Sequence, residues 1–298
     1  MSNAPTVDVL LSCRNASSTI QACVNSILTQ DYQNIRLFIF EDASIDGTPE
    51  ILAGYTDPRL HVVYSPFNIG TYASKNFLIK HLADSPYIAL HDADDESLSS
   101  RISKQIHFME SHDDCLCLGT AIIERSIDGA NIHTISSSNN ASERINLYPR
   151  KLAKQILSTI HDALDNPDES YHRLLQVKIC MNGSVMIRRS VLEQLGGWAG
   201  HTFVGADTEL FGRILSVGSI YNLQEPLYIR TFHANSLTQV PSFSLSSDYR
   251  KLFNLSTLPA VKSALDGNPY NYEFFTPPID HQQLVLTKGG KPYTYPIL

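Results

Sequence analysis

Residues 37–50 of the chain are LFIFEDASIDGTPE, and their pattern indicates the class of fold. The apolar residues 37–40 predict a strand that is buried on both faces. Thr48 supplies a cap residue and Pro49 lies in the first turn, so a helix is predicted to begin there. Polar residues and Gly47 separate the two elements, as expected of a tight connection. A strand, a short loop and a helix therefore follow one another here.

The same alternation runs through the first part of the chain. Further strands are predicted at residues 7–11, 60–64 and 87–90. Strands that alternate with helices form right-handed crossovers, so we expect an α/β fold with a Rossmann-like, mainly parallel sheet flanked by helices. In such sheets ligands bind beyond the carboxyl ends of the strands. The other predicted helices are marked by Ile20, Cys23, Val24, Ile27 and Leu28 after Ser17 or Ser18 as N-cap, by residues 71–82, and by Ile102, Ile106 and Met109.

Composition and charge limit the classes of protein to which the chain can belong. The chain has 298 residues, 43% of them apolar and 18% charged, which is ordinary for a globular protein with one large domain or two small ones. Its five cysteines form no CxxC pair, so we expect reduced, buried thiols and a cytoplasmic protein. We find no apolar run long enough to span a membrane and no signal-peptide core. The net charge of −7 argues against nucleic-acid binding, and a phosphorylated ligand would need a local cation.

The second part of the chain is less regular. Residues 150–164 predict a helix with a basic start, which either packs as an ordinary helix or contacts a membrane surface. Strand-like character returns at residues 177–181 and 184–187. Seven of the fifteen prolines lie between residues 241 and 296, among nine Phe and Tyr residues, which predicts an extended C-terminal segment wrapped over the domain.

Asp42 directly follows the second predicted strand, at the edge of the sheet where ligands bind. The sequence supports two interpretations of this acid equally. In the first, residues 41–47 form a turn in which Ser44 and Asp46-Gly47 satisfy the backbone. In the second, Asp42 accepts hydrogen bonds from a nucleobase or ribose. The turn accounts well for Asp46 and less well for Asp42.

The fourth predicted strand ends in His91-Asp92-Ala93-Asp94-Asp95-Glu96, which places four acids within five residues. No basic residue lies within four positions of this run. A solvated acidic loop is one interpretation, but like charges next to a buried strand are costly unless a cation offsets them. Mg²⁺ and Mn²⁺ bind one or two carboxylates together with phosphate oxygens and water. We therefore favour a metal site that joins an acidic protein to a diphosphate.

Short motifs between residues 7 and 238 match a known family in order and spacing. They are Ser12-Cys13-Arg14-Asn15; residues 26–30; residues 41–48; Asn68-Ile69-Gly70 with Lys75-Asn76; Asp92-Ala93-Asp94-Asp95 with Arg101 and Gln105; residues 183–189 with Gly196-Gly197-Trp198; residues 205–210 with Arg213; and His233 with Ser236-Leu237-Thr238. On these motifs the chain resembles an inverting nucleotide-sugar glycosyltransferase of family 2, with the glycosyltransferase-A fold. It departs from the pattern where Lys75 replaces a common arginine and Ala206 replaces the first acid of a Glu-Asp pair.

The resemblance implies a domain layout and a donor site. Residues 1–240 would be the catalytic domain, with 1–110 as its nucleotide-binding half and 111–240 as its acceptor half, and residues 241–298 a Pro- and aromatic-rich extension packed on it. Mn²⁺ or Mg²⁺ would be the cofactor. The implied donor-binding residues are Ser12, Arg14, Asn15, Asp42 (nucleobase), Asn68, Lys75 (diphosphate), Asp92 (ribose) and Ala93, and the implied metal ligands are Asp94 and His233.

The chemistry also requires a base, because the acceptor hydroxyl must lose a proton as it attacks the anomeric carbon. The resemblance favours Asp207 for this role. Asp207 opens a short predicted helix, so a plain N-cap is the structural alternative. Glu209 is the rival base, and its place two residues further along points it to a different side of the helix.

The expected function is transfer of one sugar from a nucleoside-diphosphate donor, with UDP-sugars favoured, to a hydroxyl of a glycan or lipid-linked glycan. The enzyme would be a hexosyl- or N-acetylhexosaminyl-transferase of bacterial surface polysaccharide synthesis. The chain lacks the Gln-x-x-Arg-Trp motif of processive relatives, so a single transfer is expected. We expect a cytoplasmic protein, at the inner face of the membrane if it makes peripheral contact, and the chain could be one module of a longer polypeptide.

Two other functions compete with this one. A non-catalytic sugar- or partner-binding module that keeps the fold is favoured by Ala206, which stands where an acid is usual. A sugar nucleotidyltransferase would also use a metal ion bound to a diphosphate. Such an enzyme needs a glycine-rich, basic loop after the first strand, whereas residues 12–17 contain no glycine.

Overall fold

The computed structural model of the chain describes residues 4–129, 132–135, 145–148, 180–233, 241–242, 247–278 and 280–293. Its first part alternates strands and helices as the sequence predicts. The predicted capping differs: Thr19, not Ser17 or Ser18, precedes the first helix, and Thr48 lies inside the second. The elements are β1 Val7–Cys13, α1 Ile20–Leu28, β2 Ile35–Asp42, α2 Thr48–Ala53, β3 Leu60–Ser65, α3 Thr71–His81, β4 Tyr87–Asp92, β5 Glu96–Ser97 and α4 Arg101–Glu110.

The strands of this part form a parallel sheet in the order β3-β2-β1-β4. The register places Cys13 beside Glu41 and Ser12 beside Asp92. Because all four strands run the same way, the residues that follow them meet at one edge. Asp42 and Asp92, the last residues of β2 and β4, lie at that edge.

The second part adds strands of both directions to the same sheet. β9 is antiparallel to both β4 and β6, and β6 in turn runs parallel to β10. Along the sheet the order continues β4-β9-β6-β10-β5, with β7 beside β6 and β8 beside β10. The elements are β6 Cys115–Ser126, β7 Ile132–Ile135, β8 Ile145–Tyr148, β9 Met186–Arg188, α5 Arg189–Leu195, α6 Ala206–Val217, β10 Ser219–Phe232, α7 Asp248–Leu265, β11 Val285–Lys288 and β12 Lys291–Pro292.

Helices cover both faces of the sheet, which explains the unbroken apolar runs in the strands. Leu10 and Phe38 face one layer of the core, together with residues of α3, α5 and α6. Their neighbours Val9 and Leu37 face the opposite layer, together with residues of α1 and α4. Since side chains alternate along a strand, a strand buried on both faces needs an apolar residue at almost every position.

The expectation of an extended C-terminal segment is wrong over residues 248–265, which form the 18-residue helix α7. The proline signal was misleading there because Pro259 lies within the helix. After α7, residues 268–278 follow an irregular path over the domain, and β11 then pairs with β3 as an antiparallel addition to the sheet. The predicted helix at 150–164 and most of the predicted strand at 177–181 lie outside the described residues.

Candidate active site

Asp42 is buried at the carboxyl end of β2, with 3% of its surface exposed. Its two oxygens accept the backbone N–H groups of Ile69 at 2.7 Å and Gly70 at 2.9 Å. Burial raises the pKa of Asp42 to about 6, and the two amide hydrogen bonds and the charge of Arg14 oppose that rise. The exposed Asn68 accepts the same Gly70 N–H at 3.1 Å. Asp42 therefore fixes the loop that follows β3.

The loop after β1 is joined to the loop after β2. The Oδ1 atom of Asn15 accepts the N–H of Ile45 at 2.9 Å, and the N–H of Asn15 donates to Ser44 Oγ at 2.9 Å. Asn15 has a left-handed φ of 52°, which asparagine tolerates better than most residues. Arg14 beside it is exposed, so the guanidinium is accessible at the sheet edge. These contacts place two of the sequence-predicted donor residues at the same edge as Asp42.

Asp46 supports the turn interpretation of residues 41–47. Its carboxylate accepts the N–H groups of Ser17 and Thr48, both at 3.0 Å, and also the Thr48 hydroxyl. Burial works against ionisation, but the hydrogen bonds from Thr48 and Ser17 outweigh it and lower the pKa of Asp46 to about 2. The carboxylate of Asp46 therefore stabilises the backbone of this turn.

The four acids between Asp92 and Glu96 are not left to repel one another. Each has a partner from a distant part of the chain, so the absence of nearby basic residues in the sequence was misleading. Glu96 lies in β5, which pairs with β10, so its ion pair lies on that side of the sheet. The partners are Lys75 for Asp92, His233 for Asp94, the backbone N–H of Thr231 for Asp95, and Arg125 for Glu96.

Lys75 is a buried lysine that points to the acidic loop. It is 1% exposed, and its Nζ lies 3.4 Å from Asp92 Oδ1. The side chain of Asp92 is 39% exposed, so this carboxylate is accessible from solvent. A buried ammonium group is stable only beside an opposite charge. The structure thus makes Lys75 a fixed positive charge at the sheet edge.

Asp94 and His233 form the part of the loop that could hold a metal ion. Asp94 Oδ2 lies 3.0 Å from His233 Nε2, and both side chains are partly exposed, at 32% and 21%. Burial and the charge of Asp92 raise the pKa of Asp94, and His233 opposes that rise. Within the described residues, no group of three or more His, Cys, Asp or Glu side chains is arranged to hold an ion. The carboxylate of Asp94 nevertheless fits Mg²⁺ or Mn²⁺ when phosphate oxygens and water complete the shell, and the imidazole of His233 fits a transition-metal ion such as Mn²⁺ better than Mg²⁺.

Tyr228 and Gly183 pack closely against Asp92. The N–H of Asp92 donates to the hydroxyl oxygen of Tyr228 at 3.2 Å. A Cβ atom placed on Gly183 would lie 2.1 Å from that oxygen and 2.7 Å from Asp92 Oδ2. Only a glycine fits between them. The guanidinium of Arg101 lies 5.1 Å from the Tyr228 ring, and burial lowers the pKa of Arg101 to about 10.

Asp207, the sequence-predicted base, lies in the first turn of α6. It is half-buried, and its Oδ1 accepts the Tyr72 hydroxyl at 3.2 Å. Gly205, with φ of 92°, occupies the N-cap position, and no side chain caps this helix. The plain N-cap interpretation of Asp207 therefore does not apply. Neither Tyr72 nor Tyr228 could be identified from the sequence, because both contacts join residues far apart in the chain.

Glu209, the rival base, is committed to a buried ion pair. Its two oxygens accept from Arg213 Nε at 2.6 Å and Nη2 at 2.8 Å, and the Tyr270 hydroxyl also donates to it. The side chains of Glu209 and Arg213 are 1% and 0% exposed. Arg213 also donates to the carbonyl groups of Leu195 at 2.6 Å and Gly197 at 2.7 Å. Glu209 thus anchors the loop after α5 and the C-terminal segment.

A search of protein families finds that the model of glycosyl transferase family 2 matches residues 8–196. The chain belongs to this family. Similar curated members include the putative glycosyltransferase EpsE of Bacillus subtilis, 35% identical over 139 residues that are 44% of this chain and 49% of that protein. Another is the Escherichia coli UDP-Glc:alpha-D-GlcNAc-diphosphoundecaprenol beta-1,3-glucosyltransferase WfaP, 36% identical over 105 residues that are 35% of this chain and 41% of that protein. The chain thus spans less than half the length of either family 2 relative.

Solved structures of similar shape confirm the glycosyltransferase-A fold of this family 2 chain. S. aureus TarS 1-349 in complex with UDP-GlcNAc superposes with a TM-score of 0.65 at 15% identity, covering 90% of this chain and 68% of that one. The mannosyltransferase PcManGT from Pyrobaculum calidifontis, in complex with GDP-Man and Mn²⁺, gives a TM-score of 0.54 at 16% identity, covering 89% and 75%. Of the helices in the described part of the chain, none combines the length and apolar character that crossing a membrane requires.

Proposed function

We propose that this protein is a metal-dependent inverting glycosyltransferase that moves one sugar from a nucleoside-diphosphate donor to a hydroxyl group of a glycan or lipid-linked glycan. The observation that carries the proposal is the pairing of Asp92 with Lys75 and of Asp94 with His233 at the carboxyl edge of the sheet. These pairs put both signs of charge where a diphosphate would bind. Asp207 supplies a separate carboxylate on α6.

The donor would lie along the sheet edge from Asp42 to the acidic loop. Asp42 would act at the nucleobase end, where it holds the loop after β3 in place and Arg14 and Asn15 are exposed at the same sheet edge, and the partly exposed Asp92 suits the ribose. Asp94 and His233 would hold a divalent cation, which stabilises the negative charge of a leaving diphosphate when bound. Ser12, Asn68 and Ala93 complete the proposed donor site.

Asp207 is the proposed base. One of its oxygens accepts the Tyr72 hydroxyl, and no described residue donates to the other, so that oxygen is free to take the proton of the acceptor hydroxyl. Attack from the face opposite the leaving diphosphate inverts the anomeric carbon. Glu209 is less suited, because Arg213 occupies both of its oxygens and its side chain is 1% exposed.

Relatives favour a UDP-sugar and a bacterial surface polysaccharide. The name of WfaP specifies UDP-Glc and a diphosphoundecaprenol-linked GlcNAc acceptor, and TarS was solved with UDP-GlcNAc. TuaG of Bacillus subtilis, 36% identical over 107 residues, is named for teichuronic acid biosynthesis. We infer a hexosyl- or N-acetylhexosaminyl-transferase that acts in the cytoplasm, with peripheral contact at the inner face of the membrane where its acceptor is lipid-linked.

The test is a transfer assay with purified protein, Mn²⁺, a panel of UDP-, GDP-, dTDP- and CDP-sugars, and GlcNAc-diphosphate on a short lipid as the acceptor probe. We expect UDP release with a UDP-sugar, and loss of transfer in Asp207→Asn with donor binding retained. Asp266→Asn is the matched control, because Asp266 is exposed and lies after α7. Donor binding without transfer in wild type, over a wide acceptor panel, would support the non-catalytic module that Ala206 favours.

A further inference from the structure

One face of helix α3 contacts two parts of the candidate site and the backbone of Trp198. Tyr72, Lys75 and Asn76 follow the i, i+3, i+4 spacing of a single helical face. Lys75 pairs with Asp92 on the donor side. Asn76 bonds both the N–H and the carbonyl group of Trp198, at 2.9 Å each. Tyr72 reaches Asp207 at the start of α6. The same helix therefore contacts both the donor-side acid and the proposed base.

The Tyr72 contact is directed at one oxygen of a carboxylate whose other oxygen has no donor among the described residues. Tyr72 is 6% exposed, so its hydroxyl needs a partner inside the protein. It lies 3.2 Å from Asp207 Oδ1, whereas no described residue donates to Asp207 Oδ2. Two residues further along α6, Glu209 is held by Arg213 and cannot supply the same free oxygen.

We propose that Tyr72 is a positioning residue for Asp207, an inference that rests on the proposed function. Its hydroxyl holds Oδ1 and so fixes the rotation of the carboxylate, which leaves Oδ2 for the acceptor hydroxyl. Because Lys75 on the same helix holds Asp92, the base and the donor-side acid keep a constant separation. Fixed placement of reacting groups is a large part of enzymatic rate enhancement, and small displacements cost rate steeply.

A buried tyrosine could also bond an aspartate only to stabilise the fold, and two variants of α3 separate these roles. Tyr72→Phe keeps the ring and removes one hydrogen bond to the base. Lys75→Met removes the partner of Asp92 and disturbs the donor side. If the two residues act on different steps, the first variant changes kcat and the second changes donor affinity.

The experiment measures kcat, the KM for the donor, and the Kd of UDP with Mn²⁺ for wild type and both variants. We expect Tyr72→Phe to lower kcat by about tenfold or more while the KM and the Kd stay within about twofold. Lys75→Met should raise the Kd by about tenfold. The matched control is Tyr221→Phe, which removes a hydroxyl that bonds Asp114 at 2.6 Å and lies at the opposite end of β10 from His233. It should leave all three values at the wild-type level.

An unchanged kcat in Tyr72→Phe would overturn the positioning role. So would a loss of UDP binding in Tyr72→Phe equal to that of Lys75→Met, because it would show that the hydroxyl only holds α3 in place. UDP binding also reports whether Tyr72→Phe is folded. A wild-type protein that binds UDP and Mn²⁺ but transfers no sugar would overturn the proposed function itself, and the role of Tyr72 with it.

Discussion

Replacing Glu209 with Gln should destabilise the protein without removing its chemistry. The structure makes Glu209 half of a buried, two-bond ion pair with Arg213, and not an acid open to substrate. The change keeps the shape of the side chain but leaves the guanidinium without a counter-charge. Glu193→Gln is the matched control, because Glu193 also pairs with an arginine four residues away, Arg189, but on the surface.

The expected difference in stability follows from burial. The side chains of Glu209 and Arg213 are 1% and 0% exposed, so losing one charge leaves the other desolvated and unpaired. Breaking such a pair costs about 3–5 kcal/mol, and we expect about 3 kcal/mol because the amide still accepts one hydrogen bond. The side chain of Glu193 is 51% exposed, and its helical ion pair is worth about 0.3–0.5 kcal/mol.

Urea unfolding followed by the fluorescence of Trp198 measures both free energies. Trp198 is the one tryptophan of the chain and is fully buried, beside the Gly197 carbonyl group that Arg213 bonds. Below its unfolding transition, Glu209→Gln should transfer sugar within about threefold of the wild-type rate, since it makes no proposed contact with substrate. An equal loss of stability in the two variants would refute this reasoning. Folded Glu209→Gln without activity would give Glu209 the role of base.

Three further variants test other contacts. Gly183→Ala should weaken the binding of UDP with Mn²⁺ by about tenfold, because its Cβ would lie 2.7 Å from Asp92 Oδ2, whereas Gly47→Ala, with its nearest atom at 3.9 Å, should not. Asp42 has a folded-state pKa of about 6, above its unfolded value, so the free energy of unfolding should fall as pH rises from about 4 to about 6, and less so in Asp42→Asn. Asn76→Ala should lower the free energy of unfolding by about 2 kcal/mol or more. It should also expose residues 268–278 to proteases, because the Asn76 amide donates to the Phe275 carbonyl at 2.9 Å.

Each of these three predictions has a result that would contradict it. Full UDP affinity in Gly183→Ala would mean that Asp92 does not contact the donor. Equal pH dependence of unfolding in wild type and Asp42→Asn would mean that the folded state does not raise the pKa of this acid. An intact C-terminal segment in Asn76→Ala would show that its other contacts, such as the 2.8 Å bond from Phe274 N–H to the Gly196 carbonyl, suffice.

The first part of the fold could be predicted because its signals are local. Strands such as β1 and β2 are apolar throughout, since both of their faces are buried, and helical periodicity marks the segments between them. The strands β6, β9 and β10 have partners distant in sequence, so no local pattern fixes their order. The prolines between residues 241 and 296 predict extended chain, but Pro259 lies inside helix α7, so the proline pattern does not reveal this helix.

In the candidate site, the acids could be predicted but their partners could not. Asp42 and the run after β4 stand at strand ends, where parallel topology brings them together. The partners lie far away along the chain: 17 residues separate Lys75 from Asp92, and 139 separate His233 from Asp94. His233 was placed by family resemblance, not by spacing. One partner does follow from a local signal, because Glu209 and Arg213 stand at the i, i+4 spacing of a helical ion pair.

Binding of Mn²⁺ in the presence and absence of UDP tests the proposed metal site most directly. The EPR signal of free aqueous Mn²⁺ is lost when the ion binds, so a titration gives the affinity without any need for an acceptor. We expect wild type to bind Mn²⁺ more tightly with UDP than without it, and Asp94→Asn to lose affinity by about tenfold or more while Asp266→Asn does not. Mn²⁺ affinity that neither UDP nor the loss of Asp94 changes would contradict the metal site at the end of β4.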